Sequence, residues 1–256
     1  MTALAPGVGV AAAIGHRPYM EDRWAVHATP GVLFAAVYDG HGGAAVADRA
    51  AAELHPLVFQ ALANGLGPAD ALRRAFDQLD GRMPDPDCGS TAAAVLLTAE
   101  ELLTAHVGDS RVVRVGPSGA EGLTRDHRIE AADERARVVG MGARLDPPYV
   151  VRAGHGLMVT RSLGDRWFRP VGVIAEPEVG HHAIRSDDVA ILLATDGVWD
   201  VLDHAEAGNI VRRAASAQAG ADAVVSAALA AGASDNVTAL VVRVPDLDPA
   251  GADRPR

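Results

Sequence analysis

Acidic residues in this sequence follow apolar runs that are long enough to form strands. The runs VLFAAVYDG and VAILLATDG stop abruptly at Asp39-Gly40 and Asp196-Gly197, which is typical of buried strands that end in tight turns. Other acidic residues lie in similar short turn-forming segments far apart in the chain, namely Glu21-Asp22, Asp109 and Asp235. A carboxylate at the end of a buried strand is costly to leave unpaired, so several that converge from different strands need a compensating cation. The sequence therefore predicts a metal site.

Charge and composition exclude several classes of function. The 256 residues carry a formal net charge of -10, which repels phosphate backbones and anionic lipid and argues against nucleic acid or a membrane as a partner. Every basic residue is Arg, and a chain without Lys cannot contain a P-loop lysine or a Schiff-base lysine. A single cysteine, Cys88, excludes an internal disulfide, and there is neither a basic signal-peptide region nor an apolar run of about 18 residues. We expect a cytoplasmic protein that is a monomer.

Strand-like and helix-like segments come in blocks along the chain. Apolar runs predict strands at about residues 7–14, 32–38, 91–97, 101–107, 111–115, 171–174, 189–195 and 237–244. Apolar residues at helical spacing predict helices over 43–63, from Pro68 to Leu79, near 130–140 and within 205–231, where Ala-Gly pairs are expected to divide the helix in two. Pro56 is expected to kink or split the first helix. Because strict βαβ alternation is missing, the pattern favours an α+β fold in which helices cover antiparallel sheets.

The ligand types indicate which metal the site would take. Carboxylate oxygens without a histidine or cysteine cluster favour Mg²⁺ or Mn²⁺ over zinc or copper. Two such ions about 4 Å apart can clamp a phosphoryl group and activate a bridging water. Asp39 is predicted to bridge both ions, with the carbonyl of Gly40 also a ligand because glycine permits the tight turn. Asp196 and Asp235 are predicted to complete one ion, with Glu21 supporting the other.

Two further side chains complete the predicted machinery of a phosphomonoester hydrolase. Arg17, four residues before Glu21, can bind two phosphate oxygens bidentately. His41, two residues after Asp39, can protonate a leaving alkoxide. Together these residues predict direct attack of a metal-bound hydroxide, without a covalent enzyme intermediate. A cysteine-phosphatase mechanism at Cys88 is excluded, because that chemistry needs an arginine six residues later, where this chain has Ala94.

Nine short blocks, in this order, resemble the signature blocks of the metal-dependent Ser/Thr protein phosphatases, the PPM or type 2C family. They are GHRPYMED, VYDGHGG, CGSTAA, HVGDSR, LTRDH, VTRSLGD, IAEPEV, ATDGVWD and SDNVT, spread between residues 15 and 238. The resemblance implies a four-layer α-β-β-α sandwich of two antiparallel sheets flanked by helices, with a binuclear Mn²⁺ or Mg²⁺ centre at one end. It assigns metal binding to Asp39, Gly40, Asp196, Asp235 and Glu21, phosphate binding to Arg17, proton donation to His41, a third and weaker ion to Asp109 and Asp200, and the orientation of water or ligands to Asp22.

The resemblance also implies what the protein acts on. Residues 1–244 would form one phosphatase catalytic domain, and 245–256, rich in Asp, Pro, Gly and Arg, a disordered tail. Substrates would be proteins phosphorylated on serine or threonine, and the enzyme would oppose Ser/Thr kinases. Two alternatives stay open: a catalytically silent fold that binds a partner or phosphoprotein, and a phosphatase for small phosphorylated metabolites. Substrate preference is open because the segment 129–159, which resembles the family's flap beside the active site, has Met141-Gly142 in place of its usual paired glycine.

Overall fold

A computed structural model describes residues 7–83, 87–98 and 100–244; the predicted tail, 245–256, lies outside them. The strands are β1 (Val8–Ala13), β2 (Arg23–Thr29), β3 (Val32–Tyr38), β4 (Gly40–His41), β5 (Gly89–Ser90), β6 (Ala92–Thr98), β7 (Leu102–Val107), β8 (Arg111–Val115), β9 (Ala120–Gly122), β10 (Arg144–Asp146), β11 (Tyr149–Arg152), β12 (His155–Leu157), β13 (Leu163–Gly164), β14 (Glu178–His182), β15 (Ala190–Ala194) and β16 (Val237–Arg243). The helices are α1 (Ala45–Ala63), α2 (Pro68–Asp80), α3 (Ala132–Gly140), α4 (Asp196–Trp199), α5 (His204–Arg213) and α6 (Ala217–Ala230), with a 3-10 helix over Arg166–Val171.

Two five-stranded antiparallel sheets form the centre of the fold. Their strand orders are β1-β16-β15-β8-β9 and β14-β7-β6-β3-β2. Helices α1 and α2 pack on the outer face of the second sheet, and α4, α5 and α6 pack on the outer face of the first. The four layers confirm the predicted α+β sandwich.

Strand β3 shows why the apolar runs lack the alternation of a half-exposed strand. Leu33, Ala35 and Val37 point into the apolar layer between the two sheets. Phe34 and Tyr38 point the other way, into the core shared with α1 and α2. Because successive side chains of a strand face opposite sides, a strand covered on both sides must be apolar throughout.

Four predictions about single elements need correction. The strand predicted at 171–174 is wrong, because this segment follows a 3-10 helix and contributes only a single bridge, between Arg161 and Ile174. Strands β2 and β14 were not predicted, since polar and exposed residues interrupt their apolar pattern. Helix α1 continues through Pro56 without a break, held by its buried face on the sheet. The break between α5 and α6 falls at Ser216, which caps α6, and not at an Ala-Gly pair.

Antiparallel pairing brings the predicted acidic residues to one end of the sandwich. Strands β1 and β15 both pair with β16 in the antiparallel sense, so they run parallel to each other, and β3 and β7 are related in the same way through β6. The turns that follow these four strands contain Glu21, Asp22, Asp39, Asp109 and Asp196, and Asp235 lies at the same end in the turn before β16. Sequence positions far apart in the chain are therefore neighbours at this edge.

The flap segment, residues 129–159, forms a small substructure beside that end. It comprises α3 and the three-stranded sheet β10-β11-β12, over a separate apolar cluster that includes Val138 and Val150. The carboxylate of Glu134 is completely buried and accepts hydrogen bonds from Arg137, Arg161 and Thr160. This buried ion pair ties α3 to Thr160 and Arg161, in the segment that follows the flap. None of the helices in the described part of the chain is long and apolar enough to cross a membrane.

Candidate metal centre

Three carboxyl groups meet where the strands of the sandwich end. Asp39 directly follows β3, Asp109 lies in the turn between β7 and β8, and Asp196 begins α4 just after β15. Each offers one carboxylate oxygen, and these oxygens lie within 4.8 Å of one another. The structure thus brings together three of the residues singled out from sequence, two from the predicted binuclear centre and one from the predicted weaker site.

Burial and mutual repulsion make these carboxyl groups hold protons tightly. Loss of solvation, together with the charges of Asp109 and Asp200, raises the pKa of Asp196 to about 7. Burial and the charge of Asp196 raise the pKa of Asp39 well above its usual range. Burial also raises the pKa of Asp109, although the neighbouring Arg128 favours its charged form. The cluster is therefore short of positive charge.

Arg128, which the sequence motifs did not single out, supplies part of that charge. Its Nε donates a hydrogen bond to Asp109 Oδ2 at 2.5 Å. Its Nη2 lies 3.3 Å from Asp196 Oδ2 and 3.8 Å from Asp200 Oδ1. Asp200, predicted as a ligand of the weaker ion, has a side chain that is 59% exposed. The sequence signal that could have identified Arg128 is its position directly after the LTRDH block.

The loop between β1 and β2 places Glu21 beside the cluster. Asn236 holds this loop: its Oδ1 accepts from the Glu21 backbone N–H at 2.7 Å, and its Nδ2 donates to two loop carbonyls. The loop lies so close to the Asp39-Gly40 turn that a Cβ at position 40 would be 2.7 Å from the Glu21 carbonyl oxygen. Glycine is therefore required at position 40.

Asp22, the last residue of the same loop, is buried. Its Oδ2 accepts from the hydroxyls of Thr195 at 2.9 Å and Thr238 at 2.7 Å. Its Oδ1 is buried and has no hydrogen-bond partner among the described residues. Burial raises the pKa of Asp22 to about 6. For its predicted role in orienting water or ligands, Asp22 therefore has one oxygen still available.

Arg17 and Asp235, predicted for phosphate and metal respectively, contact each other. Arg17 Nη2 lies 2.6 Å from Asp235 Oδ2, and the other oxygen of Asp235 accepts from the Asn236 backbone N–H at 2.7 Å. Arg17 is half-exposed. Asp235 lies in the turn before β16 and is outside the trio of converging carboxylates.

His41 is paired with a buried carboxylate that sequence reasoning missed. His41 Nε2 lies 2.7 Å from Asp165 Oδ2, and the Asp165 side chain is only 3% exposed. Burial disfavours the charged ring, but the carboxylates of Asp165, Asp109 and Glu21 outweigh it and raise the pKa of His41 above its usual value. Asp165 lies in the VTRSLGD block, 124 residues from His41, so no local pattern linked the two.

A short three-stranded sheet brings His41 and Asp165 together beside Gly89. Strand β5 pairs with β4 on one side and with β13 on the other, which places Gly89 opposite both His41 and Gly164. A Cβ on Gly89 would lie 2.1 Å from Asp165 Oδ2 and 2.3 Å from His41 Nε2. Asp165 itself has a backbone φ of 46°, a left-handed conformation that non-glycine residues adopt rarely. The hydrogen bond from its N–H to the Cys88 carbonyl, at 2.9 Å, holds it there.

These residues fit a divalent cation of the Mg²⁺ or Mn²⁺ type. The trio offers oxygen ligands only, which such hard cations prefer. Its carboxyl groups have raised pKa values, so a cation would relieve both burial and repulsion. Asp196 Oδ1 is buried without a hydrogen-bond donor among the described residues.

Comparison with known proteins agrees with this fold. The family described as "Protein phosphatase 2C" matches residues 19–237. "Probable protein phosphatase 2C 59" of Arabidopsis thaliana is 31% identical over 245 residues, covering 92% of this chain and 78% of that protein. The protein of the same name from Oryza sativa subsp. japonica is 32% identical over 252 residues, covering 92% and 75%. The crystal structure of a serine-threonine phosphatase 2C from Toxoplasma gondii shares the fold, with a TM-score of 0.84 at 21% identity over 94% of this chain and 96% of that one.

The fold and these relatives together define a protein phosphatase built on an antiparallel β-sandwich, with a cluster of carboxylates at one end. The chain belongs to the protein phosphatase 2C family, as its motifs indicated. It is a protein Ser/Thr phosphatase, and dependence on a divalent metal comes with the family.

Metal binding should depend steeply on pH. In the metal-free folded protein Asp196 has a pKa of about 7 and Asp22 of about 6, against 3.8 for either in an unfolded chain. Protonation therefore stabilises the metal-free fold fully below about pH 4, and this stability is lost progressively between about pH 4 and pH 7. Below about pH 7 an ion must displace protons, so Mn²⁺ affinity should fall roughly tenfold per pH unit for each proton displaced.

Two measurements check this expectation. Calorimetric titration of Mn²⁺ into metal-free protein between about pH 5.5 and 8 gives the affinity, and repetition in buffers of different ionisation enthalpy counts the released protons. Thermal melts should show a larger stabilisation by Mn²⁺ at the higher pH. An affinity that is constant across this range would contradict the raised carboxyl pKa values.

Proposed function

We propose that this phosphatase hydrolyses phosphoserine and phosphothreonine in proteins without a covalent enzyme intermediate, at the carboxylate centre between the two sheets. The observation that carries the proposal is the convergence of Asp39, Asp109 and Asp196 within 4.8 Å in a chain of this family. The His41–Asp165 pair on the adjoining short sheet adds a proton donor to the same site.

Two ions of Mn²⁺ or Mg²⁺ would be held by carboxylate and carbonyl oxygens, and a third, weaker ion further out. The proposed ligands of the two are Asp39, Gly40, Asp196, Asp235 and Glu21, and those of the third are Asp109 and Asp200. Asp22 would orient water or ligands through its available Oδ1. When bound, the ions supply charge neutralisation for the phosphoryl oxygens and lower the pKa of an attacking water.

His41 would protonate the leaving alkoxide. The carboxylate neighbours of His41 raise the pKa of its ring, which favours the protonated form that a proton donor needs. Asp165 accepts from the ring nitrogen Nε2 and fixes its orientation, which makes Asp165 a positioning residue. An alkoxide is a poor leaving group, and a placed acid contributes roughly 10²–10⁴-fold to its departure.

Arg17 would bind the phosphate. Its guanidinium is half-exposed and 2.6 Å from Asp235, beside a proposed ligand. A guanidinium can bind two phosphate oxygens at once, and its partner carboxylate would hold it in place before the substrate arrives.

In the cell, the enzyme would act on phosphorylated proteins and oppose Ser/Thr kinases, as a cytoplasmic monomer. Its net charge of -10 disfavours nucleic acid and anionic membrane as partners.

A substrate panel tests the proposal. Protein stripped with EDTA should be inactive, and Mn²⁺ should restore turnover of phosphothreonine and phosphoserine peptides better than Mg²⁺. Turnover of a phosphotyrosine peptide and of sugar phosphates should be at least about tenfold lower in kcat/KM, with Asp39→Asn as the inactive control. Preferred turnover of sugar phosphates would instead identify a metabolite phosphatase, and no turnover of any substrate with Mn²⁺ bound would identify a binding protein.

His41→Ala should discriminate between leaving groups. Phosphothreonine loses an alkoxide that needs a proton, whereas p-nitrophenyl phosphate loses a stable phenolate. The variant should therefore lose at least about tenfold more kcat on a phosphothreonine peptide than on p-nitrophenyl phosphate. His181→Ala, an exposed histidine on β14, is the matched control. Equal losses on both substrates, with chemistry rate-limiting, would assign proton donation to another group.

Asp165→Asn removes the charge of the side chain and keeps its size. The substitution should shift the pH profile of kcat. Without the carboxylate, the pKa of His41 falls, so the acid loses its proton at lower pH. The basic limb of the kcat profile on a phosphothreonine peptide should shift to lower pH. Asp188→Asn, a buried aspartate paired with Arg114 away from the site, should leave that limb in place. An unshifted limb in Asp165→Asn would refute the positioning role.

A further inference from the structure

Three carboxylates on the outer side of the centre share one arginine. We call Asp109, Asp196 and Asp200 the outer carboxylates; they come from the β7–β8 turn and from the two ends of α4. The Arg128 guanidinium lies 2.5 Å from Asp109, 3.3 Å from Asp196 and 3.8 Å from Asp200. Its positive charge therefore occupies the space between them.

The guanidinium and a metal ion would use the same oxygens. The Arg128 Nε–H points at Asp109 Oδ2 and its Nη2 at Asp196 Oδ2. An ion held by the outer carboxylates needs lone pairs from these groups, and it carries two positive charges where the arginine already places one. Like charges at such separations repel strongly in a partly desolvated site.

The guanidinium can move toward solvent on the side of Asp200. The Asp109 side chain is 3% exposed and that of Arg128 is 21%, but Asp200 on the far side is 59% exposed. The cluster therefore runs from a buried carboxylate to a solvated one. Rotation of the long Arg128 side chain toward solvent would leave the oxygens free without moving the backbone.

The Arg128 backbone is clamped between the metal centre and the flap segment. Its neighbour His127 donates its N–H to the Gly108 carbonyl at 2.9 Å, and the His127 carbonyl accepts from Thr160 N–H at 2.7 Å. Arg128 itself pairs with Val159 in an antiparallel bridge that closes the flap segment. The side chain is thus presented from a fixed base: His127, which bonds Gly108, precedes it, and Ile129, the first residue of the flap segment, follows it.

We propose that Arg128 is a built-in competitor of the outer metal ion: its guanidinium neutralises the outer carboxylates when no ion is there and lowers their affinity for one. This inference rests on the proposed metal centre and adds a residue that sets the strength of its weakest site. Arg128 is a positioning residue here, because it acts through the carboxylates and not on the substrate.

Metal binding by variants tests the proposal. Metal-free wild type and Arg128→Gln are titrated with Mn²⁺ by calorimetry, with free Mn²⁺ followed by electron paramagnetic resonance. The weakest class of ions should bind about tenfold or more tightly in Arg128→Gln, because one nearby positive charge is gone. The gain should shrink at high salt, since the site is partly exposed. Arg125→Gln removes an exposed arginine that pairs with Asp133 and Glu178, and should bind Mn²⁺ like wild type.

Thermal melts separate competition from a purely structural ion pair. In EDTA, Arg128→Gln should melt below wild type, because Asp109 loses its partner. With saturating Mn²⁺ the deficit should vanish or reverse. The competition is overturned if the weakest class of ions binds Arg128→Gln no more tightly than wild type. It is also overturned if the deficit in melting temperature is equally large in Mn²⁺.

A measurement on the wild-type chain covers the case in which Arg128→Gln does not fold. The Nε–H resonance of Arg128, assigned by its loss in Arg128→Lys, is followed by ¹⁵N NMR as diamagnetic Mg²⁺ is added. The Arg128 resonance should shift as the weakest class of ions binds, while the Nε–H resonance of Arg125 stays fixed. A resonance that does not move as this class fills would overturn the proposal. A wild type that binds no Mn²⁺ would instead refute the metal centre itself, a result distinct from equal binding by wild type and variant.

Discussion

Mutual repulsion among Asp39, Asp109 and Asp196 is the constraint on which the rest of this site depends. Three carboxylate oxygens within 4.8 Å cannot all be charged without a cation between them. Each carboxylate is fixed at the end of a different buried strand, so the group cannot relax by moving apart. The protein responds in two ways described above, through protonation of the carboxyl groups and through the Arg128 guanidinium.

Because the trio is assembled from both sheets, the site exists only when the sandwich is closed. Asp39 follows a strand of one sheet, Asp196 follows a strand of the other, and Asp109 lies in a turn that connects the two. The apolar layer that includes Val37 and Leu193 joins the two sheets behind them. Any ion that binds across the trio therefore also links the sheets. Folding and metal binding are coupled in this architecture by geometry, as well as by charge.

Local sequence signals predicted the part of the site that local structure determines. Asp39 and Asp196 could be found because each interrupts an apolar strand, and an abrupt stop of that kind is visible in a few residues. Arg128, Asp165 and Asn236 could not, because their partners lie 19 to 222 residues away along the chain, and only the folded sheets bring them together. The same limit applies to strands: β2 and β14 are partly exposed, and their burial pattern depends on which helices and loops cover them.

The close packing at Gly89 makes the proposed proton donor and the proposed metal centre separable. No side chain, even that of alanine, fits between His41 and Asp165, and the three atoms that a Cβ here would meet first belong to these two residues, not to the carboxylate trio. A relative with a larger residue here could keep every carboxylate and still lack a correctly held histidine. Such a chain would bind ions and phosphoproteins yet release alkoxides slowly. The methyl group of an alanine at position 89 could thus convert an enzyme into a phosphoprotein-binding module.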